Sequence, residues 1–119
     1  MDKRRAFLDL LRSTEWKLSF TDHFILRAQT RNIGSKLVEE FVLYRTNDLV
    51  LAEEEINENN KTRYKLYYEY GRRKILFIVL DVVKSGVFIV VTALINDKRL
   101  QLRVMRNASE YARLTKRLR

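Results

Sequence analysis

The sequence predicts an α+β domain: N-terminal helices packed on a twisted, mainly antiparallel sheet of four to five strands, with a basic helix at the C-terminus. Three observations predict it. Apolar residues recur at helical spacing before residue 44 and again after residue 107. Between them lie alternating and continuous apolar runs that suit strands. Turn signals at Asn57-Glu-Asn-Asn60, Gly71-Arg72, Ser85-Gly86 and Asn96-Asp97 follow each other closely enough for a meander of hairpins. Residues 1–97 read as a single α+β domain, and 98–119 as a basic strand/helix extension of it.

Residues 2–13 form an amphipathic pattern, with Phe7, Leu10 and Leu11 at i, i+3 and i+4. Asp2 places a negative charge at the positive helix end. Trp16–Phe20 alternates and predicts a short strand. Thr21 is a suitable N-cap, and Asp22 suits the first turn of a helix ending near Arg31. Asn32 and Gly34 make a turn, and Ser35 is expected to cap a helix from Lys36 to about Leu43. Asn47-Asp48 turns into a strand over Leu49–Ile56. Thr62–Tyr70 puts Tyr64, Leu66, Tyr68 and Tyr70 on one face and Arg63, Lys65, Tyr67 and Glu69 on the other. Lys74–Val83 and Val87–Ile95 are apolar on both faces, which predicts central strands. In the extension, Leu100, Leu102 and Val104 alternate with cations. Asn107-x-x-Glu110 then resembles a capping box ahead of Ala108, Tyr111, Leu114 and Leu118.

The chain has 119 residues, 46% hydrophobic and 33% charged, enough for one core. Cysteine is absent, which excludes disulfides and thiolate metal sites. No metal or cofactor is expected: there is one histidine, Glu53-Glu-Glu55 alternates faces, and no phosphate-loop or dinucleotide fingerprint occurs. No run is long and apolar enough to span a membrane, and the N-terminus lacks the apolar stretch of a signal peptide. A cytoplasmic location is the expectation.

Net charge is +9. Residues 98–119 hold eight basic residues (Lys98, Arg99, Arg103, Arg106, Arg113, Lys116, Arg117, Arg119) against Glu110, a net of +7. Residues 1–97 carry only +2. This asymmetry points to a polyanionic partner, which could be nucleic acid, an acidic protein or an anionic membrane surface; nucleic acid, RNA ahead of DNA, is the expectation. A basic, solvated tail is the plainer alternative.

One helix carries the chemistry-bearing pattern. With a repeat of 3.6 residues, Arg27 lies about 40° and Arg31 about 80° round from His23, and Thr30 about 20° the other way. An imidazole and two guanidiniums thus share a stripe. Arginine forks suit phosphate oxygens, and histidine transfers protons near neutral pH. The set could serve a metal-independent ribonuclease, a phosphate-binding face, or a plain ion-pair face satisfied by Glu53, Glu54 and Glu55. On the strand, Arg63, Lys65 and Tyr67 share a face that could meet phosphates and bases. Arg103, Arg106, Arg113, Lys116 and Arg117 would hold the nucleic-acid backbone. A homodimer through the tail helix or a sheet edge is a further expectation.

Phe20-Thr-Asp-His23, Arg27, Arg31-Asn-Ile33 and Val38, followed by Thr62-Arg63-Tyr64, Leu76-Phe-Ile-Val79 and Ile89-Val-Val-Thr92, resemble a prokaryotic domain family. Its pattern is Thr-x-His-x-x-x-Arg-x-x-x-Arg-Gly-Ile, and it is grouped with the RelE/ParE and BrnT-type toxins of toxin–antitoxin pairs. The resemblance spans roughly residues 18–95. It implies two helices on an antiparallel sheet, an activity of RNA cleavage or interference with translation, and an antitoxin protein as partner. The motif positions carried over are His23, Arg27, Arg31 and Thr92, with Arg63. Asn32 stands where the pattern has glycine, and Leu94 where an aromatic often follows the last strand.

Overall fold

The computed structural model describes residues 2–84 and 86–97. Three helices and a 3-10 turn pack with a five-stranded sheet, in the order α1 (Lys3–Arg12), β1 (Lys17–Phe20), α2 (Asp22–Arg31), α3 (Ser35–Leu43), the turn Thr46–Asp48, β2 (Leu49–Ile56), β3 (Thr62–Glu69), β4 (Lys74–Lys84) and β5 (Val87–Asp97). The sheet order is β1-β5-β4-β3-β2. Neighbours from β2 to β5 pair antiparallel, as hairpins with short loops must. β1 joins β5 in parallel, Lys17 opposite Val87 and Phe20 opposite Val90. The α+β class and five strands match the sequence reading; the basic C-terminal helix and the strand before it lie outside the described residues.

Local chemistry explains most boundaries. The Asp2 side chain accepts from the Arg4 N–H at 3.0 Å and starts α1. The Thr21 hydroxyl accepts from the Phe24 N–H at 3.0 Å and starts α2. Asn32 ends α2 in the left-handed region, φ 56°, and its N–H returns to the Ala28 carbonyl. The asparagine at the resemblance's glycine position adopts the backbone a glycine would supply, at the modest strain asparagine tolerates. Two expectations are corrected. Ser35 does not cap α3; it is the first helical residue, and Gly34 is the N-cap with no side-chain bond. Asn96-Asp97 is not a turn; β5 continues because Lys74 and Ile75 pair with them.

All three helices bury their apolar residues on one sheet face, here called the inner face: Phe7 from α1, Phe24 from α2, and Val38, Phe41 and Val42 from α3 join Tyr64, Leu66, Leu76, Ile78, Phe88 and Val90. Trp16 stacks on Phe88 with centroids 4.0 Å apart, and its indole N–H donates to the Leu10 carbonyl at 3.0 Å. Phe7 bridges Tyr64 and Phe88 at 5.1 and 5.8 Å. Each such aromatic contributes about 1.5–3 kcal/mol by burial.

The same stack explains the parallel strand. Trp16 anchors the chain over Phe88, and the next N–H, of Lys17, donates to the Gly86 carbonyl at 2.8 Å. Gly86 turns β4 into β5 with φ 88°, and a Cβ there would meet the Glu15 carbonyl at 3.2 Å. Glycine satisfies both demands. No helix among the described residues is long and apolar enough to cross a membrane.

Candidate functional site

α2 is fastened to the rim of the sheet. β1 ends at Phe20, opposite Val90, so β5 beyond that point has no strand on its outer side among the described residues. The Thr21 N–H donates to the Val90 carbonyl at 3.1 Å, which aims the helix along that open edge. Phe24 is buried under it and packs on Phe20 at 4.9 Å, while Ile33 closes the far end.

Arg31 completes the fastening. Its Nη1 donates to the Thr92 hydroxyl and the Ala93 carbonyl, both at 3.1 Å. The structure thereby brings together two of the sequence-predicted positions, separated by 61 residues in the chain. It also gives them a supporting role: a partly buried guanidinium fills hydrogen-bonding positions on the β5 edge that a further strand would otherwise occupy.

His23 and Arg27 share the flank of α2 that carries Arg31, and both are exposed. Neither forms an ion pair or side-chain hydrogen bond among the described residues. The Thr30 hydroxyl, on the same stripe, donates back to the Arg27 carbonyl at 3.0 Å. Leu26 stands beside them, 66% exposed. The ridge is therefore two free cationic or titratable groups above a third that is anchored, flanked by unburied apolar surface.

The glutamates that might have neutralised this ridge are engaged elsewhere. Glu54 accepts from the Tyr64 hydroxyl at 2.7 Å and pairs with Lys3 at 3.1 Å. The Tyr64 hydrogen bond, followed by Lys3, holds its carboxyl below the ordinary glutamate value against the opposing effect of burial. Glu53 accepts from the Tyr67 hydroxyl at 2.5 Å, and Glu55 pairs with Lys65 at 2.6 Å.

The strand set stands apart from α2. Tyr64, Leu66 and Tyr68 face the helices, so alternation turns Arg63, Lys65 and Tyr67 to the outer face. Arg63 grips Asp81 with two bonds, 2.6 and 3.1 Å, which raise its already high pKa. Each of the three thus has a carboxylate partner, an arrangement that satisfies the side chains and leaves an incoming phosphate to compete with it. Arg103, Arg106, Arg113, Lys116 and Arg117 lie outside the described residues.

No family model, curated protein or solved structure matches this chain. The toxin-family resemblance rests on the motif residues themselves. Sequence reasoning missed the open β5 edge, because the parallel β1–β5 pairing joins the two ends of the domain. The two candidate clusters stand apart because α2 is fastened along the rim at β5, whereas Arg63, Lys65 and Tyr67 project from β3, two strands away.

Proposed function

We propose that this protein is a toxin-like RNA-binding domain whose α2 ridge, His23 and Arg27 with Arg31 behind them, receives a backbone phosphate. The observation that carries the reading is that His23 and Arg27 are exposed and have no side-chain partner among the described residues, while the glutamates of β2 stand at the opposite edge of the sheet and are engaged with other partners. Stacked cations on one helix face repel one another, and a bound anion removes that cost. Leu26 beside the ridge offers apolar contact to a base or ribose. The +7 charge of residues 98–119 adds sequence-independent attraction and speeds encounter. The motif resemblance supplies the direction toward RNA and toward an antitoxin that would cover this surface.

Binding is favoured over cleavage by one point of chemistry. Attack by a ribose 2′-hydroxyl needs one group to take a proton and another to give one. The ridge presents one side chain able to exchange a proton, the imidazole of His23. Arg27 could stabilise the developing charge but not move a proton.

The test is titration of fluorescent single-stranded RNA at several salt concentrations. The parent should bind with an affinity that falls steeply as salt rises. His23→Ala with Arg27→Ala should weaken binding about tenfold and flatten the salt slope by about one phosphate contact. Equal binding by parent and variant removes the ridge assignment. Cleavage of the same RNA by the parent, lost in His23→Ala, would convert the module into a ribonuclease.

A further inference from the structure

A second concave surface lies at the other end of β1 from the α2 ridge. The C-terminal ends of α1 and α3 meet the start of β1 there and leave an open cleft of about 710 Å³, within the size range of small-molecule sites. Two aromatic rings line it, Trp16 and Tyr44. Trp16 is held from behind, stacked on Phe88 at 4.0 Å and only 8% exposed. Tyr44, just past the end of α3, is its opposite. At 77% exposed it is the most open of the large apolar side chains among the described residues. A ring left in water beside a cleft is a surface on which another flat group can stack.

The rim of the cleft is rich in acceptors. Leu11 lies in the last turn of α1 and Leu43 ends α3, and both line the cleft. The last carbonyls of a helix have no partner inside it. Those of Leu10 and Phe41 find donors, in the Trp16 indole N–H and the Arg45 N–H. Those of Leu11 and Leu43 accept nothing among the described residues. Glu15 and Lys17, also on the cleft, are exposed and have no side-chain partner among the described residues. A ligand suited to this set is flat, presents N–H donors on its edge and carries an anionic group for Lys17. A nucleotide whose base bears an exocyclic amino group meets all three demands, and Glu15 can accept from its ribose hydroxyls. A uracil nucleotide lacks the amino donor.

We propose that this cleft binds a nucleotide whose base carries an amino group, with Tyr44 stacked on the base, the Leu11 and Leu43 carbonyls accepting from its edge and Lys17 meeting its phosphate. The class of ligand rests on the RNA reading above; the cleft does not share a residue with the ridge. Trp16 precedes β1 and Thr21 follows it, so the two sites lie about 16 Å apart along extended chain, and one single strand can touch both. A phosphate contact on the ridge positions such a strand without reading its sequence, whereas a base held in the cleft supplies a preference.

Trp16 is the only tryptophan in the chain, so its fluorescence reports on the cleft alone. Full-length protein titrated with AMP or CMP should show saturable quenching, after correction for nucleotide absorbance. UMP should bind about fivefold more weakly for want of one hydrogen bond. Equilibrium dialysis of the same nucleotides gives the affinities without an optical signal. Tyr44→Ala should weaken AMP about tenfold, and Tyr44→Phe, which keeps the ring, should not. His23→Ala with Arg27→Ala should leave AMP binding unchanged, so cleft and ridge fail separately. A parent that binds RNA through the ridge but retains no AMP in dialysis overturns the cleft alone. AMP binding by a parent that binds no RNA removes the RNA reading and leaves the cleft as a site for the free nucleotide. Equal affinity for AMP and UMP, or AMP binding undiminished in Tyr44→Ala, also overturns the proposal.

Discussion

Arg27 and Arg63 are the same side chain in two electrical settings. Arg27 stands on a helix ridge with no carboxylate partner among the described residues, while Arg63 is clasped by Asp81 in two hydrogen bonds. Arg31 lies between these cases, exposed in part but committed to an uncharged strand edge. Residue type alone would rank the three together as phosphate ligands. What separates them is what the fold places within reach: an engaged carboxylate must be displaced before a phosphate can bind, whereas an unpaired guanidinium has only water to shed.

The largest effect should come from the residue that joins ridge to sheet. Arg31→Ala removes two hydrogen bonds and leaves the Ala93 carbonyl unpartnered on the strand edge, so it should destabilise the protein by about 1–3 kcal/mol in denaturant unfolding. It should also weaken RNA binding, because the α2 flank loses both its third cation and its fastening. Arg27→Ala, by contrast, should leave stability within about 0.5 kcal/mol of the parent. Equal stability of the two variants would show that Arg31 is free in solution, and the distinction between anchor and ligand would collapse.

This contrast marks the limit of what was readable in the chain. The N-caps Asp2 and Thr21, the alternation of Thr62–Glu69 and the two-sided apolar runs of β4 and β5 are short-range patterns, and they placed the elements and the α+β class. The His23-Arg27-Arg31 stripe was equally legible, since helical spacing alone puts three residues on a line. Partners were not legible, because they are set by strand order and register. Glu55 opposes Arg63 across β2 and β3, yet Arg63 bonds Asp81 on its other neighbour, and Lys65, which opposes Glu53, bonds Glu55. The β1–β5 pairing, which opens the edge that Arg31 fills, depends on Trp16 stacking on a residue 72 positions later. Ser35 misled for a local reason: with Gly34 extended at φ −87°, the helix begins one residue before Lys36.

A smaller effect is expected from the glutamate that faces the helices. Glu54 has its folded-state pKa lowered, chiefly by the Tyr64 hydroxyl and then by Lys3. A lowered carboxylate contributes stability that is complete above its unfolded value and is lost as pH falls through the folded one. The parent should therefore exceed Glu54→Gln by about 1 kcal/mol at pH 7, and the gap should close below about pH 4. A gap that persists unchanged into acid would assign the effect to side-chain packing instead of charge.

The smallest effect sharpens the opening contrast most. The Arg63 and Asp81 side chains are 41% and 26% exposed, so solvent screens their attraction despite the two bonds. Arg63→Met, which keeps the apolar stem over the sheet, should cost under about 1 kcal/mol, and less in high salt than in low. Its consequence for RNA should be smaller than that of Arg27→Ala, although both changes remove one positive charge from the protein. If a paired arginine and an unpaired one contributed equally to binding, affinity would follow total charge alone. A larger loss at Arg27 than at Arg63 would put the phosphate on the ridge, because each change removes one positive charge and the difference then lies in what surrounds each guanidinium.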